Sequence, residues 1–222
     1  DMSKYVFDIE TNGLYPTEIW MLVLQDVATK EIFSYSDHTD KVPSMDEGLN
    51  RLSNAKVIAG HNILGFDLPI MKRLLGWEPT ETTRVWDTFI MSQLCKYQRP
   101  HMHGLAGWGK FFDFAKGDYG EGDDAWNSYN DQMLAYCIRD VELNTMVYER
   151  VSKEASILMK QEPMFLQALQ LEHDFAMVNA EITTNGWKFD MERAEALESE
   201  ILDRMEYIEE QINPQLGKVA VM

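Results

Sequence analysis

The chain has 222 residues, 45% hydrophobic and 11% aromatic, enough to bury one sizeable core and too apolar for a disordered chain. Its 20 Lys and Arg stand against 37 Asp and Glu, and the formal charge of −17 argues against a broad basic face for gripping nucleic acid. Two cysteines exclude a secreted disulfide scaffold, and no apolar run approaches the roughly 18 residues of a membrane span, so a soluble protein of a reducing compartment is expected.

Tyr5, Phe7 and Ile9 alternate with Val6, Asp8 and Glu10, the period of a strand. Ile19 to Val27 and Glu31 to Tyr35 are strand-like and flank the turn Ala28-Thr29-Lys30, so three antiparallel strands open the chain. A helix over Met45 to Leu52, a short strand Val57 to Ala59 and the loop Gly60-His61-Asn62 follow. Leu68 to Leu75 reads as a helix starting near Pro69 and stopped by Gly76; Arg84 to Thr88 is a strand feeding a helix through Tyr97. From Gln98 to Asn127 six glycines, a proline and the acidic stretch Asp118 to Asp124 predict a long insertion around one helix, Leu105 to Phe112.

Ser128 and Asn130 are suitable caps for a long amphipathic helix carrying Met133, Tyr136, Cys137, Val141 and Leu143 and running past Val151. Met164 to Ala180 is a second helical stretch, Trp187 to Asp190 a brief strand or turn, and Met191 to Ile212 a charged helix ended before Pro214. The expected division is a domain over 1–158 and a helical segment over 159–222. Asp1 ahead of Met2 reads as an added residue, and the stop at Val219 to Met222 suggests a fragment of a longer chain.

Three groups of side chains stand out. Asp8 and Glu10 share one face of a strand, where two anions repel unless a cation lies between them; an exposed polar edge is the alternative. Asp67 follows Asn62 by five residues, at a strand-to-helix junction, and either joins such a site or caps the helix; His61 is a loop histidine or a ligand. Tyr136 and Asp140, four apart, share a helix face. Neither Cys95 nor Cys137 has metal-ligand spacing, so neither is expected among metal ligands.

This ordered set resembles the DEDD superfamily of 3′-to-5′ exonucleases, in the subgroup with tyrosine in its third motif. Asp8, Glu10, Asp67 and Asp140 fill the four acidic positions and Tyr136 the subgroup position, whereas the residue five before the last acid, histidine in the sister subgroup, is Ala135. The resemblance is nearest to the N-terminal part of bacteriophage family A DNA polymerases: Leu171 to Phe175 and Asn185 to Asp190 look like the junction into the polymerase portion, whose own motifs are absent. It implies an α/β, ribonuclease-H-like mixed sheet with flanking helices and a C-terminal helical extension.

It further implies two divalent ions, Mg2+ or Mn2+, with Asp8 bridging both, Glu10 and Asp140 completing the water-activating site and Asp67 serving the second ion. Tyr136 would orient the attacking water, since a phenol titrating near 10 is a poor base at neutral pH. Thr11, Leu14, Asn62 and Phe66 would meet the substrate, a single-stranded 3′ end of DNA. Stacking and metal-held phosphate need no long basic groove, which reconciles the acidity with a nucleic-acid substrate. The implied partner is the polymerase domain of the same full-length chain, and the implied setting is the cytoplasm of a phage-infected bacterium, with the fragment monomeric and away from membranes. An RNA exonuclease of the same superfamily and a catalytically silent scaffold are the competing expectations.

Elsewhere, His101-x-His103 has zinc-like spacing but no accompanying ligands, so loop contacts are expected. Trp108, Phe111, Phe112 and Phe114 fit a core face better than a base-stacking surface, and Asp87 suits either a helix cap or support of the site.

Overall fold

The computed structural model describes residues 3–114, 119, 120 and 125–216. Asp1-Met2, most of the acidic stretch Asp118 to Asp124, and Val219 to Met222 lie outside the described residues. The strands are β1 (Lys4–Thr11), β2 (Ile19–Asp26), β3 (Ile32–Tyr35), β4 (Val57–Gly60) and β5 (Arg84–Asp87). The helices are α1 (Met45–Ser53), α2 (Asp67–Leu75), α3 (Thr88–Cys95), α4 (Leu105–Phe112), α5 (Asp131–Gln161), α6 (Phe165–Asn185) and α7 (Met191–Leu216). Asp1–Thr184 and Asn185–Met222 are two compact units.

The five strands form one mixed sheet in the order β3-β2-β1-β4-β5. β1 pairs antiparallel with β2 and parallel with β4, and β4 pairs parallel with β5. Strand alternation assigns the two faces of β1 to two cores. Tyr5, Phe7 and Ile9 pack with Leu22, Leu24, Leu52, Ile58, Ile70 and Met71, while Val6 packs with Met21, Val23, Ala59, Met133, Cys137 and Val141. Asp8 and Glu10, in step with Val6, therefore face α5. β1 is the central strand, so the exposed-edge alternative for its two acids does not hold.

A register shift between Glu10 and Thr11 interrupts the β1–β2 ladder where the acids end. Such bulges bend a strand and re-aim its last side chains. Parallel pairing with β4 stops at Val6 opposite Ala59, which leaves the backbone beyond it to find other partners.

α5 is one uninterrupted helix about 46 Å long by its residue count, continuous through residue 158. Asn130 starts it, its side chain accepting from Met133 N–H at 2.8 Å. A third core of Met91, Trp108, Leu143, Val147, Val151, Ala155 and Leu169 joins α3, α4, α5 and α6. The expected strand or turn at Trp187 to Asp190 is irregular chain, with Trp187 88% exposed. α7 continues past Ile212 with Pro214 in its last turn, where the missing N–H removes a single ladder bond.

Candidate active site

Three elements deliver carboxylates to one place. Asp8 and Glu10 come from the C-terminal half of β1, Asp67 from the first residue of α2, and Asp140 from the face of α5 that covers the sheet. Beside the β1 acids stands Cys137, whose Sγ is 3.9 Å from the Asp8 carbonyl and 4.0 Å from Asp8 Oδ2. Candidate ligand atoms of Asp8, Glu10 and Cys137 lie within 4.8 Å of one another. Burial pushes the Cys137 thiol well above its ordinary pKa, and Glu10, Asp8, Asp140 and Asp67 push it further. All four acids thus act on one sulfur. Sequence reasoning placed no cysteine here, yet a thiol stands beside the oxygens, one that burial keeps protonated and so a poor metal ligand. Its signal was the three-residue spacing from Asp140, which puts both on one helix face.

Asp67 does not work as a cap; no side-chain cap bond starts α2. Its Oδ1 instead accepts from the Ile9 N–H at 3.3 Å, between the two acids of β1 and past the end of the parallel ladder. Burial raises its pKa from 3.8 to about 7, helped by the charge of Asp87 and opposed by the Ile9 N–H, its own N–H and a hydrogen bond with Asp8. Crowded buried carboxylates that hold protons at neutral pH are groups that a cation would relieve.

The loop between β4 and α2 is held from β5. Asp87 accepts from the N–H groups of Asn62 at 2.9 Å and Leu64 at 3.1 Å while capping α3 through Phe89 N–H at 2.9 Å. Both sequence-level alternatives for Asp87 are therefore realised together. Asn62 adopts φ 62°, and a Cβ on Gly60 would lie 2.1 Å from Ile63 Cγ2 and 2.9 Å from Phe7 O, so only glycine lets this loop close against β1. The Thr88 hydroxyl donates to Asn144 Oδ1 at 2.8 Å and so accepts from His61 Nδ1 at 2.8 Å, linking loop, α3 and α5.

His173 of α6 completes this support and was invisible to sequence reasoning. Its Nε2 accepts from the Asp87 N–H at 2.9 Å and its Nδ1 bonds the Leu169 carbonyl at 2.7 Å, which fixes a neutral tautomer. Burial lowers its pKa below 6.5, against the pull of the Leu169 carbonyl and of Asp87. A folded-state value below the unfolded one means that this contribution is full above about pH 6.5 and is lost as pH falls through that range. Between pH 7.5 and 5 the wild-type melting temperature should accordingly drop more than that of His173→Gln. The variant should start about 1–2 kcal/mol less stable at pH 7.5 and converge with wild type in acid; parallel pH curves would contradict this.

Thr11 is buried and its Oγ1 donates to the Gly13 carbonyl at 3.0 Å, whereas Leu14 just beyond is 83% exposed. Phe66 is partly buried against the first core. Tyr136 lies partly buried on α5, beside Tyr119 and Trp126. His103 bonds Ser92 Oγ and the Tyr97 carbonyl, and His101 packs on Trp108 and Phe111, so both make the expected loop contacts. Trp108 is fully buried, Phe112 and Phe114 pack against its core, and Phe111 is exposed.

The profile of the RNase_H_2 family, of the RNase_H superfamily, matches residues 5–152. Among solved structures the chain is similar to Brucella melitensis NrnC, with TM-score 0.62 and 18% identity over 86% of this chain and 90% of that one. It is also similar to the family B DNA polymerase of the archaeon Pyrobaculum calidifontis, with TM-score 0.54 and 14% identity over 68% of this chain and 24% of that one. Escherichia coli RNase D, an exoribonuclease involved in structured RNA processing, gives TM-score 0.55 and 15% identity over 79% of this chain and 45% of that one. At such identities the likeness is one of fold. No curated protein sequence matches the chain.

Proposed function

The chain belongs to the RNase_H_2 family of the RNase_H superfamily, and from that premise we propose that it is a metal-dependent 3′-to-5′ exonuclease of the DEDD tyrosine subgroup. One observation carries the reading: Asp67 of α2 bonds the Ile9 N–H between Asp8 and Glu10 of β1, and ligand atoms of those two acids lie within 4.8 Å of Cys137 on α5, which follows Tyr136 and shares a helix face with Asp140. The oxygen-dominated donor set fits hard divalent cations, and the raised pKa of Asp67 fits a site that prefers to be neutralised. Asp8, Glu10, Asp67 and Asp140 would hold two Mg2+ or Mn2+ ions. Bound there, the pair supplies an ionised water and offsets the charge on the leaving 3′ oxygen.

The chain's own residues do the rest. Tyr136 orients the attacking water through its hydroxyl. Leu14, exposed three residues beyond the end of β1, offers an apolar surface to the terminal base, and Thr11, the last residue of β1, meets the same nucleotide. Asn62 and Phe66, on the loop that Asp87 holds, meet the nucleotide from the other side. Hydrolysis of the last phosphodiester releases a nucleoside 5′-monophosphate. The substrate we propose is a DNA 3′ end, in a proofreading role ahead of the polymerase domain of a bacteriophage family A enzyme in the host cytoplasm. Residues 1–158 would be the hydrolytic domain, 159–222 the lead into the polymerase portion, and this chain a monomer. The resemblance of Leu171 to Phe175 and Asn185 to Asp190 to a junction into a polymerase portion supports that choice; the likeness to RNase D favours RNA as the second reading.

Matched 3′-labelled DNA and RNA single strands incubated with Mg2+ or Mn2+, with and without chelator, test both readings. Chelator-sensitive release of mononucleotides, at least tenfold faster from DNA, is expected. Faster release from RNA would move the assignment to the second reading, and no release with either ion would leave a silent scaffold.

A further inference from the structure

Tyr136 is not alone on its face of α5. The Tyr119 ring lies 5.7 Å from it, tilted by 38°, and the Trp126 ring 6.1 Å away, edge-on at 78°. Tyr119 and Trp126 meet each other edge to face at 5.0 Å. The two pairs made by Trp126 have the favoured edge-on geometry, and all three centroid separations lie within contact range, so the three rings form one mutually supporting group.

The outer two rings are themselves tied down. The Trp126 carbonyl accepts from Trp20 Nε1 of β2 at 2.9 Å. The Tyr119 hydroxyl donates to the Ala125 carbonyl and accepts from Asn130 Nδ2 at 2.7 Å, and the same Asn130 caps α5. Gly120 adopts φ 96°, and a Cβ there would fall 2.7 to 3.0 Å from three indole atoms, so the indole occupies space that only glycine leaves open. The support thus reaches β2 on one side and the first turn of α5 on the other.

We propose that Tyr119 and Trp126 are positioning residues, a clamp that holds the Tyr136 ring in the one orientation from which its hydroxyl serves the reaction. The inference rests on the exonuclease reading. A phenol that orients water contributes only when its hydroxyl is held in place, because a small displacement forfeits the gain of proximity. Both rings act through Tyr136, so their value disappears once its hydroxyl is gone.

The test is a double-mutant cycle in the 222-residue chain, with kcat and KM measured separately on a 3′-labelled DNA strand and Mn2+ binding followed by calorimetry. Trp126→Ala should lower kcat about tenfold, leave KM and Mn2+ affinity within about twofold, and be largely rescued by Trp126→Phe. In a Tyr136→Phe background Trp126→Ala should cost nothing further. Equal losses in both backgrounds would overturn the clamp, as would a raised KM with unchanged kcat. Incorporating 3-fluorotyrosine at position 136 separates this from the function itself. Even in a chain that releases no nucleotide, the fluorine resonance should move toward the free amino acid in Trp126→Ala, and an unmoved resonance would overturn the proposal.

Discussion

Asp8→Ala should eliminate nucleotide release, with at least a ~10⁴-fold loss, whereas Tyr136→Phe should retain measurable turnover, reduced ~10²-fold. The difference follows from where the two side chains stand. Asp8 is the acid hydrogen-bonded to Asp67, and its Oδ2 lies 4.0 Å from Cys137 Sγ, so it links the α2 contribution to the α5 face of the site. Removing it takes away the group common to the whole set. Tyr136 contributes orientation, and phenylalanine keeps its ring among Tyr119 and Trp126. Calorimetry should show Mn2+ binding retained in Tyr136→Phe and lost or much weakened in Asp8→Ala. Far-UV circular dichroism should be unchanged in both, since neither substitution removes a backbone bond of β1 or α5. Complete loss of turnover in both variants would contradict this division of labour, and so would substantial activity in Asp8→Ala.

The second large effect is on stability rather than rate. Asp67 is raised from 3.8 to about 7 by burial, so the folded, metal-free protein holds a proton that the unfolded chain has released. A raised folded-state value means that the stability from this group is full below about pH 4 and is lost as pH rises to about 7, on the order of 4 kcal/mol at most. Asp67→Asn keeps an oxygen for the Ile9 N–H and removes the ionisation. In chelator at pH 8 the variant should therefore melt above wild type, by about 2–4 °C for each kcal/mol regained, and near it at pH 4 to 5. Adding Mn2+ at pH 8 should reverse the order, because only wild type retains its full ligand set. A variant melting no higher than wild type in chelator at pH 8 would show that the buried carboxylate carries no such penalty.

Much of this was legible in the sequence because it is local. Alternation over Tyr5 to Glu10 reports the two faces of β1, and the four-residue step from Tyr136 to Asp140 reports one face of α5; both periods follow from backbone geometry alone. The central place of β1 was not legible, since its parallel partner lies some fifty residues away and leaves no mark in the strand itself. For Asp67 and Asp87 the sequence offered caps as an alternative, but their bonds to Ile9, Asn62 and Leu64 depend on which backbone groups the sheet leaves over. Tyr119 and Trp126 sit in a glycine-rich, aperiodic stretch where no pattern points to Tyr136. Trp187 to Asp190 alternates like a strand, yet alternation without a partner strand makes no ladder.

The bond from Asp67 to the Ile9 N–H separates upkeep of the architecture from upkeep of the chemistry. A descendant that had abandoned hydrolysis would still need an acceptor at position 67 for that backbone group, while Tyr136 could drift to phenylalanine with its ring contacts intact. An acceptor at 67 in a related protein, which asparagine supplies as well, therefore speaks only for the fold; an ionisable aspartate kept there against its cost, together with the hydroxyl at 136, is the better witness to activity.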